Sequence, residues 1–249
     1  MPSVGFPGPP LSVRAAPLFA LLLLATVSAQ AQDGRRVLEA WQRDARTAFA
    51  DVAAVTLNEQ VVQIIEGPRE PLRLETRGLL RLAPDARPDR EVAEAQMGGR
   101  PVDPARVPFL ARRLGRAFGP AGAEAARPAP LPGLLLRSVQ PTDIDADRID
   151  GQPAWRVTFV RSDGRATEGR GQAWFSRDAS APRLLRLELG ADRVDGSVRR
   201  TIEYERVAGL DLPRTMRTVV TVRQRRRIRT YLVTLTADVS YRNARITRR

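Results

Sequence analysis

Downstream of Leu134 the chain shows in places a clear hydrophobic period, and that period is two. Trp155, Val157 and Phe159 alternate with Arg156 and Thr158, and Leu185, Leu187 and Leu189 oppose Arg186 and Glu188. Tyr231, Val233, Leu235, Ala237, Val239 and Tyr241 form an unbroken row. Successive side chains of a strand point to opposite faces, so each row marks one buried and one wet face. The spacing predicts strands near 142–149, 153–161, 168–177, 183–190, 197–208, 214–223 and 228–241. Asp150-Gly151, Asp163-Gly164, Ala181-Pro182, Asp195-Gly196 and Gly209 to Pro213 supply turns between them. Short strands joined this tightly imply a single strongly curved antiparallel sheet or barrel in a mainly β, α+β chain.

Upstream the period is helical. From Asp33, a candidate N-cap, residues Leu38, Trp41, Ala45, Ala48, Phe49 and Val52 recur at three- and four-residue steps. Arg35, Arg36, Arg43, Asp44 and Arg46 take the other faces, so one stripe lies on something apolar. Leu57 to Ile65 then reads as a strand broken by Gly67-Pro68, and a second runs from Leu72 toward Leu82. Residues 83–133 form an insert. Its first part, to Asp103, is rich in Pro, Asp, Ala and Gly and reads as largely loop. A short helix carrying Val107, Leu110, Ala111, Leu114 and Phe118 follows, confined at its start by Pro108. Gly119 to Gly133 reads as a linker or flexible flap. Together, the helices and the insert are expected to cover one face of the sheet.

Missing residue types narrow the chemistry. The chain has no His and no Cys, and all 41 of its basic residues are Arg. No His general base, Cys nucleophile, Lys Schiff base, zinc finger or disulfide can be built from it. Candidate carboxylates Glu168, Asp178, Glu188, Glu203 and Glu205 sit at alternate strand positions or turns, with no spacing that marks a glycosidase pair. We therefore expect a binding protein, not an enzyme, with no cofactor.

The first segment reads as a secretory signal covering residues 1–31. Leu18 to Val27 is apolar, Arg14 precedes it, and Ala29 and Ala31 fit an A-x-A cleavage site. The run falls short of the ~20 apolar residues that span a bilayer. Residues 32–249 would then be the mature domain, in the periplasm or outside the cell. Met1 to Pro10 lacks the basic character of a signal's start, so translation is expected to begin at Val13. A Met1 peptide in uncleaved precursor would reject that.

The net charge of +13 is local. From Arg214 to Arg249 there are eleven Arg against one acid, Asp238. Within this stretch Arg223, Arg225, Arg226, Arg227 and Arg229 lie between two predicted strands. Like charges at a hairpin tip discourage edge pairing, and the same cluster suits anionic lipid headgroups. Nucleic acid is not an expected partner, because export removes the chain from it and only Tyr231 offers a ring beside the cluster. Asp143, Asp145 and Asp147 echo a calcium loop, but Arg148 and Ala154 stand where that template needs Gly and Glu. The reading preferred for them is the wet face of a strand.

Asp150-Gly151-Gln152-Pro153-Ala154-Trp155-Arg156-Val157 precedes Gly171-Gln172-Ala173-Trp174-Phe175, then Leu184-Leu185-Arg186-Leu187-Glu188 and Gly209-Leu210-Asp211-Leu212-Pro213. In this order, behind a helix and a loop-helix insert, the pieces resemble the outer-membrane lipoprotein-sorting (LolA-like) superfamily of periplasmic proteins. LolB and the N-terminal part of the sigma-E regulator RseB share that fold. The resemblance covers roughly residues 33–246. It implies an open half-barrel with helices over its concave side and an apolar cavity that takes a lipid or lipoprotein acyl chain. In this sequence Trp155, Val157 and Phe159 are the candidate ligand-binding residues. An RseB-like alternative implies an envelope sensor or interaction module that binds an envelope membrane protein.

Overall fold

The structure, a computed structural model, describes residues 16–68, 70–84, 86–111, 118, 127–132, 140–161, 169–178, 180–193, 195–226 and 229–249. A long helix, α1 (Ala16–Ala50), leads into strands β1 (Val52–Glu66), β2 (Leu72–Leu82), β3 (Asp89–Met97) and the two-residue β4 (Arg100–Pro101). The meander follows as β5 (Gln140–Ile149), β6 (Gln152–Arg161), β7 (Gly169–Ser176), β8 (Leu184–Arg193), β9 (Gly196–Val207), β10 (Leu210–Arg226) and β11 (Arg229–Arg248). All eleven strands make one antiparallel sheet, ordered β4-β3-β2-β1-β11-β10-β9-β8-β7-β6-β5. The sheet does not close, because β4 and β5 are its two edges.

Register turns the sequence alternation into two surfaces. Val61, Val239, Met216, Ile202, Leu187, Ala173 and Val157 face one another in succession across seven strands. One residue along, Ser240, Thr215, Glu203, Arg186, Trp174 and Arg156 form a mostly polar row on the opposite face. A one-residue slip in any strand would exchange the two sets, so burial of the apolar row fixes the register.

Helix α1 covers the apolar face, touching β5 at the sheet edge and β10 near its middle. Val37, Leu38, Trp41 and Phe49 are buried there, and each such side chain contributes about 1.5–3 kcal/mol of transfer free energy. The sequence places the helix start at Asp33. Instead the backbone is helical without a break from Ala16, because the Leu- and Ala-rich leader is itself composed of strong helix formers. Val52, expected on the helical stripe, is the first residue of β1.

The insert differs most from its expected form. Residues 83–103 hold two strands, β3 and β4, joined through Gly98 and Gly99. Both glycines have positive φ (58° and 77°), the geometry a two-residue hairpin turn demands and glycine adopts without strain. Strand β3 pairs with β2 along most of its length. Residues 107–111 are helical as expected, and Val107 and Phe118 are buried; Leu114 lies outside the described residues. The segment read as a linker ends packed, with Ala129 and Leu131 buried in the main core.

Candidate functional site

Trp155, Val157 and Phe159 sit on β6 and point into the apolar face, each 6% exposed or less. They belong to one cluster that gathers side chains from α1, from the 127–132 segment and from eight strands. The ring of Phe159 lies over Gly171, its register partner on β7, and fills the volume a Cβ there would need. Gly34 of α1 is seated against Trp155 and Ile144 in the same way. Trp41 of the helix meets Phe175 of β7 at 5.2 Å between ring centroids. The three candidate residues thus line the interior beneath the helix, where helix and sheet are closed upon each other.

Polar groups interrupt this interior at a few points. Asp211, on β10, is 5% exposed and accepts hydrogen bonds from Trp41 Nε1 at 2.7 Å and from the Leu184 amide at 2.9 Å. Burial pushes its carboxyl above the ordinary carboxylate range, although these two donors and the nearby Arg206 and Arg183 pull the other way. Glu59, on β1, is buried and held by Arg90 of β3, whose Nη2 donates to Oε1 at 2.8 Å while Nε pairs with Oε2. The Tyr241 hydroxyl on β11 accepts from the Ala129 amide at 3.0 Å, tying the insert to the sheet. Arg200, only 8% exposed, donates from Nε to Thr218 Oγ1 at 3.2 Å. Tyr204 is different. Its hydroxyl is buried without a hydrogen-bond partner among the described residues, and desolvation drives its ionisation far above the usual tyrosine range.

None of these buried polar residues stands among the sequence candidates, yet phase marks several of them. Arg200 falls in step with Val198, Ile202 and Tyr204, and Glu59 with Val55, Leu57 and Val61. A charged residue in the apolar phase of a strand is either a flaw in the reading or a buried, paired group.

The other face is an ion-pair surface. Arg156 donates to Asp145 at 2.8 Å, Arg186 pairs with Glu203 at 3.2 Å, Arg77 with Glu94 at 3.6 Å and Arg217 with Asp238 at 3.6 Å. The aspartate row of β5 is engaged in this network: Arg156 also lies 3.6 Å from Asp147, which accepts from the Arg148 amide and from Trp174 Nε1. Those two hydrogen bonds, with the Arg156 charge, hold the Asp147 carboxyl below the ordinary range. Among the described residues no group of His, Cys, Asp and Glu is placed to hold a metal ion. Two open clefts of about 520 and 670 Å3 lie along the strands, lined chiefly by residues such as Gln60, Gln172, Glu188, Thr201 and Arg217.

The arginine run lies at a hairpin tip, with Arg226 opposite Arg229. Arg223 and Arg225 are exposed, and Arg227 lies outside the described residues, as do the side chains of Arg226 and Arg229. This tip is separate from Trp155, Val157 and Phe159, so the two candidate sites are different places on the molecule.

No protein-family model matches the chain, and none of the curated proteins matches it. Several solved structures are similar. One is an outer membrane lipoprotein-sorting protein domain from Vibrio parahaemolyticus, with 10% identity and a TM-score of 0.42 over 84% of this chain and 92% of that one. A DUF1329 family protein from Desulfovibrio piger matches with 12% identity and a TM-score of 0.37, covering 88% of this chain and 92% of its own. The MucA/MucB complex of Pseudomonas aeruginosa matches at 13% identity, with 83% and 98% covered and a TM-score of 0.18. Among the described residues no helix is long and apolar enough to cross a membrane.

Proposed function

We propose that the chain is an exported, non-enzymatic binding protein. Its leader is removed near Ala31, and it shelters an acyl chain or similar apolar ligand between α1 and the concave face of the sheet. One observation carries this reading: a continuous apolar face, spread over β1, β2 and β6–β11, is covered, among the described residues, by one helix and a short segment instead of a second sheet. The polar ties described between that cover and the sheet are few. Trp41 bonds Asp211, and the Ala129 amide bonds Tyr241. Apolar contact accompanies these ties, and an acyl chain buried there gains about 25 cal/mol per Å2 of apolar surface removed from water. A ligand with a polar head would also give the Tyr204 hydroxyl a partner. The absence of His, Cys and Lys costs such a protein nothing, because sheltering a hydrocarbon requires only surface.

The test is uptake of a fluorescent fatty acid by the purified mature chain. Saturable uptake, lost in Phe159→Glu with the fold retained by circular dichroism, is the expected result. A well-folded protein that takes up no probe removes the carrier reading. The second reading is a partner-binding module with a permanently filled interior, favoured by the dense packing of Trp155, Val157 and Phe159. A pulldown from native envelope separates them: a carrier brings lipid, and a module brings a membrane-protein domain.

A further inference from the structure

The hairpin of β10 and β11 outruns the rest of the sheet. On one side β9 begins at Gly196, opposite Val222, and beyond it only the Arg223 amide reaches the Asp195 carbonyl. On the other side β1 ends at Glu66, opposite Thr234. Apart from that bond, residues 223–226 and 229–232 pair only with each other, forming a two-stranded arm that projects ~13 Å at about 3.3 Å per residue.

The arm has a composition unlike any other exposed strand of the protein. Between Arg223 and Leu232 it carries five arginines and no acid. Several arginines elsewhere on the sheet are matched with carboxylates, as in the pairs of Arg73 with Glu75, Arg156 with Asp145 and Arg199 with Asp192. Arg223 and Arg225 are exposed and form no ion pair among the described residues. Register puts Leu232 directly opposite Arg223, so both side chains emerge on one face of the arm, with Arg225 and Thr230 beside them. Leu232 is 60% exposed, the most exposed large apolar side chain among the described residues.

We infer that this arm is a membrane-docking element for an anionic phospholipid surface. The arginines meet the phosphate headgroups, and Leu232 enters the interface between them. Unpaired guanidinium groups form charge-assisted hydrogen bonds with phosphate, and a basic cluster of this kind is held to an anionic leaflet by the surface potential. Protection against edge pairing would account for the charges, but not for an exposed leucine set in their midst. The inference stands apart from the apolar-ligand reading, since it uses no residue of the concave face.

The chain lacks cysteine, so Leu232→Cys gives a single labelling site for an environment-sensitive fluorophore. Flotation of the mature protein is compared on vesicles of zwitterionic lipid alone and of the same lipid with about one-third phosphatidylglycerol. Docking predicts binding to the anionic vesicles only, a blue shift of the label, and release on raising salt from about 0.1 M to 1 M. Each arginine at such a surface is worth about five-fold in affinity, so Arg223→Ser with Arg225→Ser weakens binding ~30-fold. Arg242→Ser with Arg245→Ser, an equal charge change at exposed positions far along β11, leaves it within a few-fold. Equal loss in the two double variants, or binding without a label shift, overturns the inference. Displacement by polyglutamate with the label unshifted would assign the arm to an acidic polypeptide partner instead. The circular dichroism spectrum confirms that each variant is folded, and fatty-acid uptake is unchanged by the arm variants if the two sites are separate.

Discussion

The ring of Phe159 on β6 occupies the space left by Gly171, the residue facing it across the ladder on β7. Glycine in a strand interior weakens the strand intrinsically, and here its lack of a side chain is what admits a large ring to the core. Gly171→Ala is expected to destabilise the protein by about 1–3 kcal/mol through overpacking, despite its better strand propensity. Urea denaturation reads this directly. The double change Gly171→Ala with Phe159→Leu should recover part of the loss, since the two residues compete for one volume. An additive double variant would contradict the packing account.

Gly34 makes the corresponding allowance on the helix. A Cβ at this position would collide with Ile144 and press on Trp155, so α1 reaches β5 and β6 only with glycine at the crossing. Gly34→Val should lift the helix from the sheet and lower the thermal midpoint, while Gln32→Val, at an exposed position two residues earlier, should not. If the apolar ligand enters beneath α1, the Gly34 variant also takes up probe faster. Stopped-flow mixing with a fluorescent fatty acid measures that rate.

The Tyr204 hydroxyl is a buried donor without an acceptor among the described residues, a condition that costs about 1–3 kcal/mol. Tyr204→Phe is therefore expected to stabilise the free protein by about 1 kcal/mol, against the usual direction for core substitutions. If that hydroxyl meets the polar head of a ligand, the same variant binds a fatty acid more weakly than the parent but a headless alkane probe equally well. Stability and affinity moving in opposite directions is the signature. A destabilised variant would mean that the hydroxyl has a partner in solution.

Much of the sheet was legible because its strands bury one face against one cover. In the row from Tyr231 to Tyr241, and in Trp155, Val157 and Phe159, the alternation is uninterrupted, and the strands appear where it places them. Strand β3 was hidden because almost nothing on it is buried. Of Asp89 to Met97 only Ala95 is, so the segment is a strand through backbone pairing with β2 while its side chains read as loop. Its real signal was the Gly98-Gly99 pair at the hairpin turn. The pairing of β1 with β11 was invisible for another reason. Val61 and Val239 face each other although most of the chain lies between them, and no local pattern encodes a partner that distant. The polar interior groups were missed because residue type was weighed above phase: Arg200 and Glu59 look like wet-face residues until their apolar-phase neighbours are counted.

The buried pair of Trp41 and Asp211 gives the protein a pH dependence of unusual sign. Desolvation raises the Asp211 carboxyl above its unfolded value, so between those two values the folded state binds more protons than the unfolded one. Stability from this group is therefore greatest at acid pH and declines as pH rises through the raised value. Asp51, Asp147 and Asp178 act in the opposite sense. Hydrogen bonds from Arg248, from the Arg148 amide and from Ser180, respectively, lower their carboxyls, and what they contribute is lost as pH falls below the ordinary carboxylate range. Asp211→Asn keeps an acceptor for Trp41 Nε1 and the Leu184 amide but cannot ionise. Thermal midpoints of both proteins from about pH 3 to pH 7 isolate the Asp211 contribution, because the other carboxylates cancel in the difference. The parent should lose stability relative to the variant as pH rises above about 4 and then level off. If it gains instead, the Arg206 guanidinium, 3.5 Å from Oδ1, outweighs burial, and Asp211 is a buried salt-bridge partner rather than a desolvated acid.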